Sequence, residues 1–300
     1  MFDRVTLTRD LVDSRGVLLG QKGLVISISS VLDRARRRGA THAEAVPDAR
    51  LADELCSPLG EAHYRQLFRN AAVEAAVVRA LQGIRLPPPL HDELRALAVH
   101  DPARYRHAIT TAAVATRMFV AAVGEAPAIA QMATAGLLHD LGMRHVGSHV
   151  AHKADALEQH EIMDVASHPL LGAWHLATTL GPHPAVEAAL AHHWRGGHGY
   201  PCLRRPPSRS VEVVAVASAF AALTQARAFR SGPFDARGAV DLLVGEVKAG
   251  RADATTVRLL VHAMRGARGE VKDVRFARQR LGHAPAVNRH TAIAPIHSVV

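Results

Sequence analysis

The sequence predicts a mainly α protein, a helical bundle preceded by a small β-rich module. Three observations carry this. The chain is 48% hydrophobic but only 4% aromatic, so alanine, leucine and valine must fill the core, and alanine and leucine are strong helix formers. From residue 49 onward apolar residues recur at helical spacing, in runs separated by glycine and proline. Residues 1–46 instead show alternating or β-branched stretches punctuated by glycines.

In order, VTLTRDLVD, GVLLG and GLVISI read as short strands, with turns at Gly16, Gly20 and Gly23. SSVLDRARRRGA follows as a short helix, with Ser30 as its cap and Gly39 as its stop. THAEAV (41–46) is expected as a further strand, and residues 1–48 form the module. Residues 49–94 make a helical connector, broken by the Pro87–Pro89 run. LHDELRALAVH continues as a helix and stops at Asp101–Pro102. Helical periodicity then covers 103–123, 126–141, 158–180, 184–195 and the strongly apolar 211–228, then 235–249 and 253–266. These define a helical domain over 95–270. Residues 271–300 carry basic residues, prolines and little periodicity, and are expected to form a loose C-terminal tail.

The balance of 36 basic against 27 acidic residues gives a net charge of +9. Such a surface attracts anions: nucleotides, phosphates, nucleic acid or an acidic membrane. The Arg34–Arg38 cluster reads as a solvated face. Two distant cysteines, Cys56 and Cys202, make no disulfide framework. MFDRVTLTRD lacks a signal-peptide pattern, and no run of about 18 apolar residues offers a membrane span. A cytoplasmic location is therefore expected.

Histidine is the informative residue. Of 20 histidines, His42, His63, His91, His100, His145, His149, His152 and His160 lie in polar or loop settings and read as surface residues. Five others fall in or at the ends of apolar helical segments: His107 in YRHAITT, His139 beside Asp140 in AGLLHDLG, His168 in ASHPLLG, and the pair His192–His193 in ALAHHWRGGHGYP. Imidazole is the commonest neutral metal ligand, and a carboxylate can bridge two cations. An aspartate in an apolar run also needs a partner. Five histidines and one aspartate suit a mono- or dinuclear site.

Residues 95–245 resemble the HD-GYP subgroup of the HD phosphohydrolase superfamily. In order, the matches are His107, LLHDLG (137–142), SHPLLG (167–172), the His192–His193 pair, GYP (199–201) and VAVASAFAALTQARAFR (214–230). The resemblance implies an HD-type helical bundle holding one or two divalent transition metals, iron or manganese. It implies a cytoplasmic hydrolase of bacterial second-messenger signalling, a phosphodiesterase acting on cyclic di-GMP. Carried over by position, His107, His139 and Asp140 would serve one metal, with Asp140 bridging to a second held by His168, His192 and His193. His139 and Asp140 would be the catalytic pair. Tyr200 would pack by the dinucleotide, while Arg227 and Arg230 would meet phosphate. The Gly-Tyr-Pro loop or the N-terminal module would be the place for a protein partner; no nucleic-acid polymer is expected.

The sequence also departs from that pattern. Ser218 stands where the family has its last aspartate ligand, and Ala221 where it has the aspartate of "DALT". Met143 replaces the lysine of "HDxGK", with Arg144 adjacent; the loop after His193 is one residue shorter and lacks its acidic residues; Ala103 occupies the position of a glutamate that supports a third metal. The expectation is a phosphodiesterase weakened at one metal. The alternative is an inactive cyclic di-GMP receptor or protein-interaction module. A metal-free HDOD-type scaffold is a third reading, against which the intact HD and HH pairs argue.

Overall fold

The computed structural model describes residues 3–39, 48–195, 198–277 and 279–288. The strands among them are β1 (Arg4–Thr6), β2 (Leu11–Val12), β3 (Leu18–Gly20), β4 (Val25–Ser27), β5 (Trp194–Arg195) and β6 (His198–Gly199). The helices are α1 (Ile28–Arg38), α2 (Ala49–Cys56), α3 (Arg65–Phe68), α4 (Ala71–Gln82), α5 (Pro88–His100), α6 (Pro102–Val123) and α7 (Ile129–Leu138). They continue with α8 (Ser148–Ala151), α9 (Gln159–Leu180), α10 (Pro184–Ala191), α11 (Arg209–Thr224), α12 (Ala236–Lys248) and α13 (Ala254–Met264). The strands are only two or three residues long, so helices carry the fold, as the composition predicts.

Helix α6 is the axis. Its residues from His107 to Phe119 are buried without a break, as befits a helix enclosed on every side. Around it pack α4, α5, α7, α11 and α13. Small side chains permit close approach: a Cβ on Gly136 of α7 would lie 3.1 Å from the Cα of Ala112. Helix α10 packs on both α7 and α9, so the histidine-bearing segments meet at one end of the bundle. Arg117, 1% exposed, braces α6 by donating to the carbonyls of Leu67 and Ala263 at 2.8 Å.

In the N-terminal module β1 pairs with β4 and β2 with β3, both antiparallel, with Val5 opposite Ile26. The cap of helix α1 lies three residues before the expected one. Ser27 caps it and exchanges hydrogen bonds with Ser30, which sits one turn inside. Gly39 ends it at φ 68°. The module sits on α9, where Trp174 donates its indole N–H to the Leu19 carbonyl at 2.8 Å and Arg34 covers the Trp174 ring. The strand expected over 41–46 lies outside the described residues.

The described part of the segment after residue 270 departs from the loose tail expected there. Val274 joins the core. The N–H groups of Leu281 and Gly282 both donate to the Asp241 carboxylate, at 2.9 and 3.1 Å, and Ser231 N–H donates to the Val287 carbonyl. One carboxylate and backbone pairing hold this strap, so it needs no hydrophobic periodicity. No helix among the described residues is long and apolar enough to cross a membrane.

Candidate metal centre

His107 projects from the second turn of α6. His139 and Asp140 immediately follow α7, His168 lies within α9, and His192 and His193 immediately follow α10. Their rings converge: centroids are 5.3 Å apart for His107–His139, 4.9 Å for His139–His192, 5.3 Å for His168–His192 and 4.1 Å for His192–His193.

Three of these imidazoles are fixed by backbone carbonyls at the ends of helices or at a break within one. The last four carbonyls of a helix lack an intrahelical partner. His139 Nδ1 lies 2.8 Å from the carbonyl of Gly136 in the last turn of α7. His192 Nδ1 lies 3.0 and 3.1 Å from those of Ala188 and Ala189 in the last turn of α10. In α9 the spare acceptor is made by Pro169, which has no N–H to give to Val165. His168 Nδ1 takes that carbonyl at 2.6 Å. In each ring the Nδ1 proton is thereby assigned, and Nε2 presents a lone pair to the centre.

Two groups of donor atoms result, each within 4.8 Å: His168, His192 and His193, and His107, His139 and Asp140. Asp140 joins them, because its Oδ1 is 3.2 Å from His168 Nε2 and 3.9 Å from His192 Nε2. The Nε2 atoms of His168 and His192 are only 3.2 Å apart. With both Nδ1 protons spent on carbonyls, this juxtaposes two lone pairs, an arrangement that a shared cation satisfies. Burial pushes His107, His139, His168 and His192 below the usual imidazole range, keeping them neutral. Burial opposes charge on Asp140, but attraction to a proton held by His168, His139, His192 or His107 outweighs it, so the carboxyl lies well below its usual range and any proton the cluster takes up sits on an imidazole. Neutral imidazoles around one carboxylate fit a divalent transition metal.

The other group is built differently. Ser218 of α11 places its hydroxyl 3.2 Å from His107 Nε2 and 3.1 Å from His139 Nε2. It bridges the two rings by hydrogen bonds and brings no negative charge.

The remaining expected site residues separate. Tyr200 is buried and stacks on His193, centroids 4.6 Å apart and planes at 19°. Arg227 is close enough to His107 to add to its depression, after burial, and its guanidinium makes no hydrogen bond or ion pair among the described residues. Arg230 is committed elsewhere: Nη1 donates to the Ala222 and Leu223 carbonyls at 3.1 and 2.9 Å, and its guanidinium lies over the Phe229 and Phe234 rings. Arg144 turns away from the centre to Glu93.

Sequence reading passed over Arg104. It lies one turn before His107 on α6, with a side chain 12% exposed and 3.2 Å from Asp101, and its charge reaches both His168 and Arg227. Its i, i+3 spacing from His107 was the available signal. Two histidines read as surface residues are not so: His91 is buried, and burial pushes His145 down to about 2. His42 lies outside the described residues.

A family model described as "HD domain" matches residues 93–256. The 3'3'-cGAMP-specific phosphodiesterase 1 of Vibrio cholerae serotype O1 is 32% identical over 132 residues, which is 42% of this chain and 30% of that protein. The chain thus spans less than a third of that relative's length. Among solved structures, the HD domain of the L. monocytogenes phosphodiesterase PgpH aligns with a TM-score of 0.45 at 13% identity, covering 59% of this chain and 96% of that one. Bd1817, an HDGYP protein from Bdellovibrio bacteriovorus, aligns with a TM-score of 0.45 at 15% identity, covering 77% and 76%. Because the family model spans more than half of the sequence and takes in all five clustered histidines together with the aspartate, the chain belongs to the HD domain family.

Proposed function

We propose that the protein is a metal-dependent phosphodiesterase that hydrolyses cyclic dinucleotides, with cyclic di-GMP as its substrate. The observation that carries this reading is the convergence of the His168 and His192 Nε2 atoms beside Asp140, with their Nδ1 protons already engaged. The named activity of the V. cholerae relative supports the substrate class. The His192–His193 and GYP matches support cyclic di-GMP within it.

His168, His192 and His193 would hold one cation, His107 and His139 another, with Asp140 shared. When bound, such cations supply Lewis acidity to a phosphodiester. The chain supplies the rest. Arg227 and Arg104 offer guanidiniums suited to phosphate oxygens. The stacked His193–Tyr200 pair offers an aromatic wall for a base. Ser218 leaves the His107–His139 group without its own carboxylate, so that cation would be held weakly and turnover would be slow.

A second reading, a cyclic di-GMP receptor, is favoured by one feature. The Ser218 hydroxyl already occupies the Nε2 atoms of both His107 and His139. In that reading the Gly199–Pro201 loop or the N-terminal module would signal to a protein partner. The test is elemental analysis of anaerobically purified protein, followed by incubation with cyclic di-GMP, 3'3'-cGAMP and cyclic di-AMP. Hydrolysis abolished by Asp140→Ala supports the enzyme. Stoichiometric binding with the ligand recovered intact supports the receptor. Protein that neither contains nor takes up metal refutes the proposal.

A further inference from the structure

The N-terminal module meets the bundle beside the metal centre. Asp140 opens a 3-10 turn, Leu141–His145, whose first backbone bond runs from Met143 N–H to the Asp140 carbonyl at 3.0 Å. One side of this turn is interlocked with α9. A Cβ on Gly142 would collide with the His168 carbonyl, and one on Gly172 would lie 2.8 Å from the Gly142 nitrogen. Arg144 grips the other side. Its Nε lies 2.9 Å from Glu93 Oε2, and its Nη1 donates to the Val12 carbonyl at 2.8 Å. Glu93, with a side chain 1% exposed, accepts from Ser14 N–H at 2.6 Å. Arg9 adds a bond to the His145 carbonyl at 3.1 Å.

The module, α5 and the turn after Asp140 therefore meet at one pair, a buried carboxylate and a partly exposed guanidinium. Desolvation offsets most of the attraction in such a pair, so it is a weak source of stability. Its two-sided fork is, however, a strong fixer of geometry. We propose that Arg144 is a positioning residue: by clamping Leu141–His145 between Glu93 and the Val12 carbonyl, it holds Asp140 where the two histidine groups share it. This rests on the metal reading above. Partners that orient metal ligands from outside the coordination sphere typically change affinity by about 10–100-fold when removed.

The experiment is a cobalt(II) titration of the full-length, chelator-treated protein, read by the d–d absorption band, with far-UV circular dichroism to check folding. R144M is expected to bind cobalt about 10–100-fold more weakly, with a shifted band. R144K, which keeps the charge without the two-sided fork, is expected to fall between R144M and wild type. W174F loses the bond to Leu19 but leaves Arg144 alone, and is expected to bind like wild type. A folded R144M with wild-type affinity and band overturns the proposal. Should R144M fail to fold, R144K decides, and a wild-type affinity and spectrum there overturns it. Weakening by W174F equal to that of R144M assigns the effect to docking in general and also overturns it. If wild type takes up no cobalt, the metal reading itself fails and the positioning role falls with it.

Discussion

Replacing His175 with leucine should make the protein resist acid unfolding. His175 lies on α9 two turns beyond His168 and is fully buried. Neither of its ring nitrogens has a hydrogen-bond partner, and Glu93 Oε1 comes only to 3.9 Å. Burial, with a smaller push from Arg144, lowers its pKa to about 4. An imidazole in the unfolded chain titrates near ~6.5. As pH falls below that value the unfolded chain takes up a proton that the folded protein refuses until about pH 4. The stability associated with this residue is therefore complete above the unfolded pKa and lost as pH falls toward the folded one. Between pH 7 and pH 5 the loss from His175 alone comes to about 2 kcal/mol. Leucine has no nitrogen to leave unpaired, so H175L should also gain about 1 kcal/mol at pH 7. Urea unfolding of both proteins at the two pH values gives a drop in stability for each. The difference between the drops reports on His175, because depressed histidines away from it, such as His183, contribute equally to both. Identical drops would refute the reasoning.

Three further outcomes are expected. Changing His192→Ala and His193→Ala together should abolish stoichiometric metal binding, measured by elemental analysis, because it removes two of the three imidazoles of one group. Ser218→Asp should add a carboxylate between His107 and His139, raising the manganese stoichiometry toward two per chain and increasing turnover of cyclic di-GMP; an unchanged stoichiometry would count against the two-group description. Arg227→Ala should weaken cyclic di-GMP binding by about tenfold and flatten its salt dependence, whereas Arg230→Ala should leave affinity alone and lower stability by about 1–3 kcal/mol through its lost carbonyl bonds.

The helices were legible because their period is local. The apolar runs locate α6, α9, α11, α12 and α13 to within a few residues. The five histidines and Asp140 were legible for a related reason, since each stands in or beside such a run. What escaped reading depends on partners distant in the chain. Glu93 looks like any polar residue of an amphipathic helix until Ser14 and Arg144 close on it. Arg230 matches a phosphate-binding position, but carbonyls at the end of its neighbouring helix claim it first. His145 sits in a glycine-flanked loop, and nothing local indicates that the Leu141–His145 turn is wedged between α9 and the module. The strap over 279–288 is held by the carboxylate of Asp241 and by bonds to Ser231, features without periodicity.

Pro169 sacrifices one rung of α9, and the freed Val165 carbonyl goes to His168. Because that imidazole is anchored to the scaffold and not to an ion, its aim is set as the chain folds, before any metal arrives. On the proposed metal reading, loading would be a capture event with little reorganisation, and the occupant would be chosen less by a cage that closes around one preferred ion than by which cation is on offer. The same purified chain, grown on iron-rich or manganese-rich medium, should carry whichever metal it met.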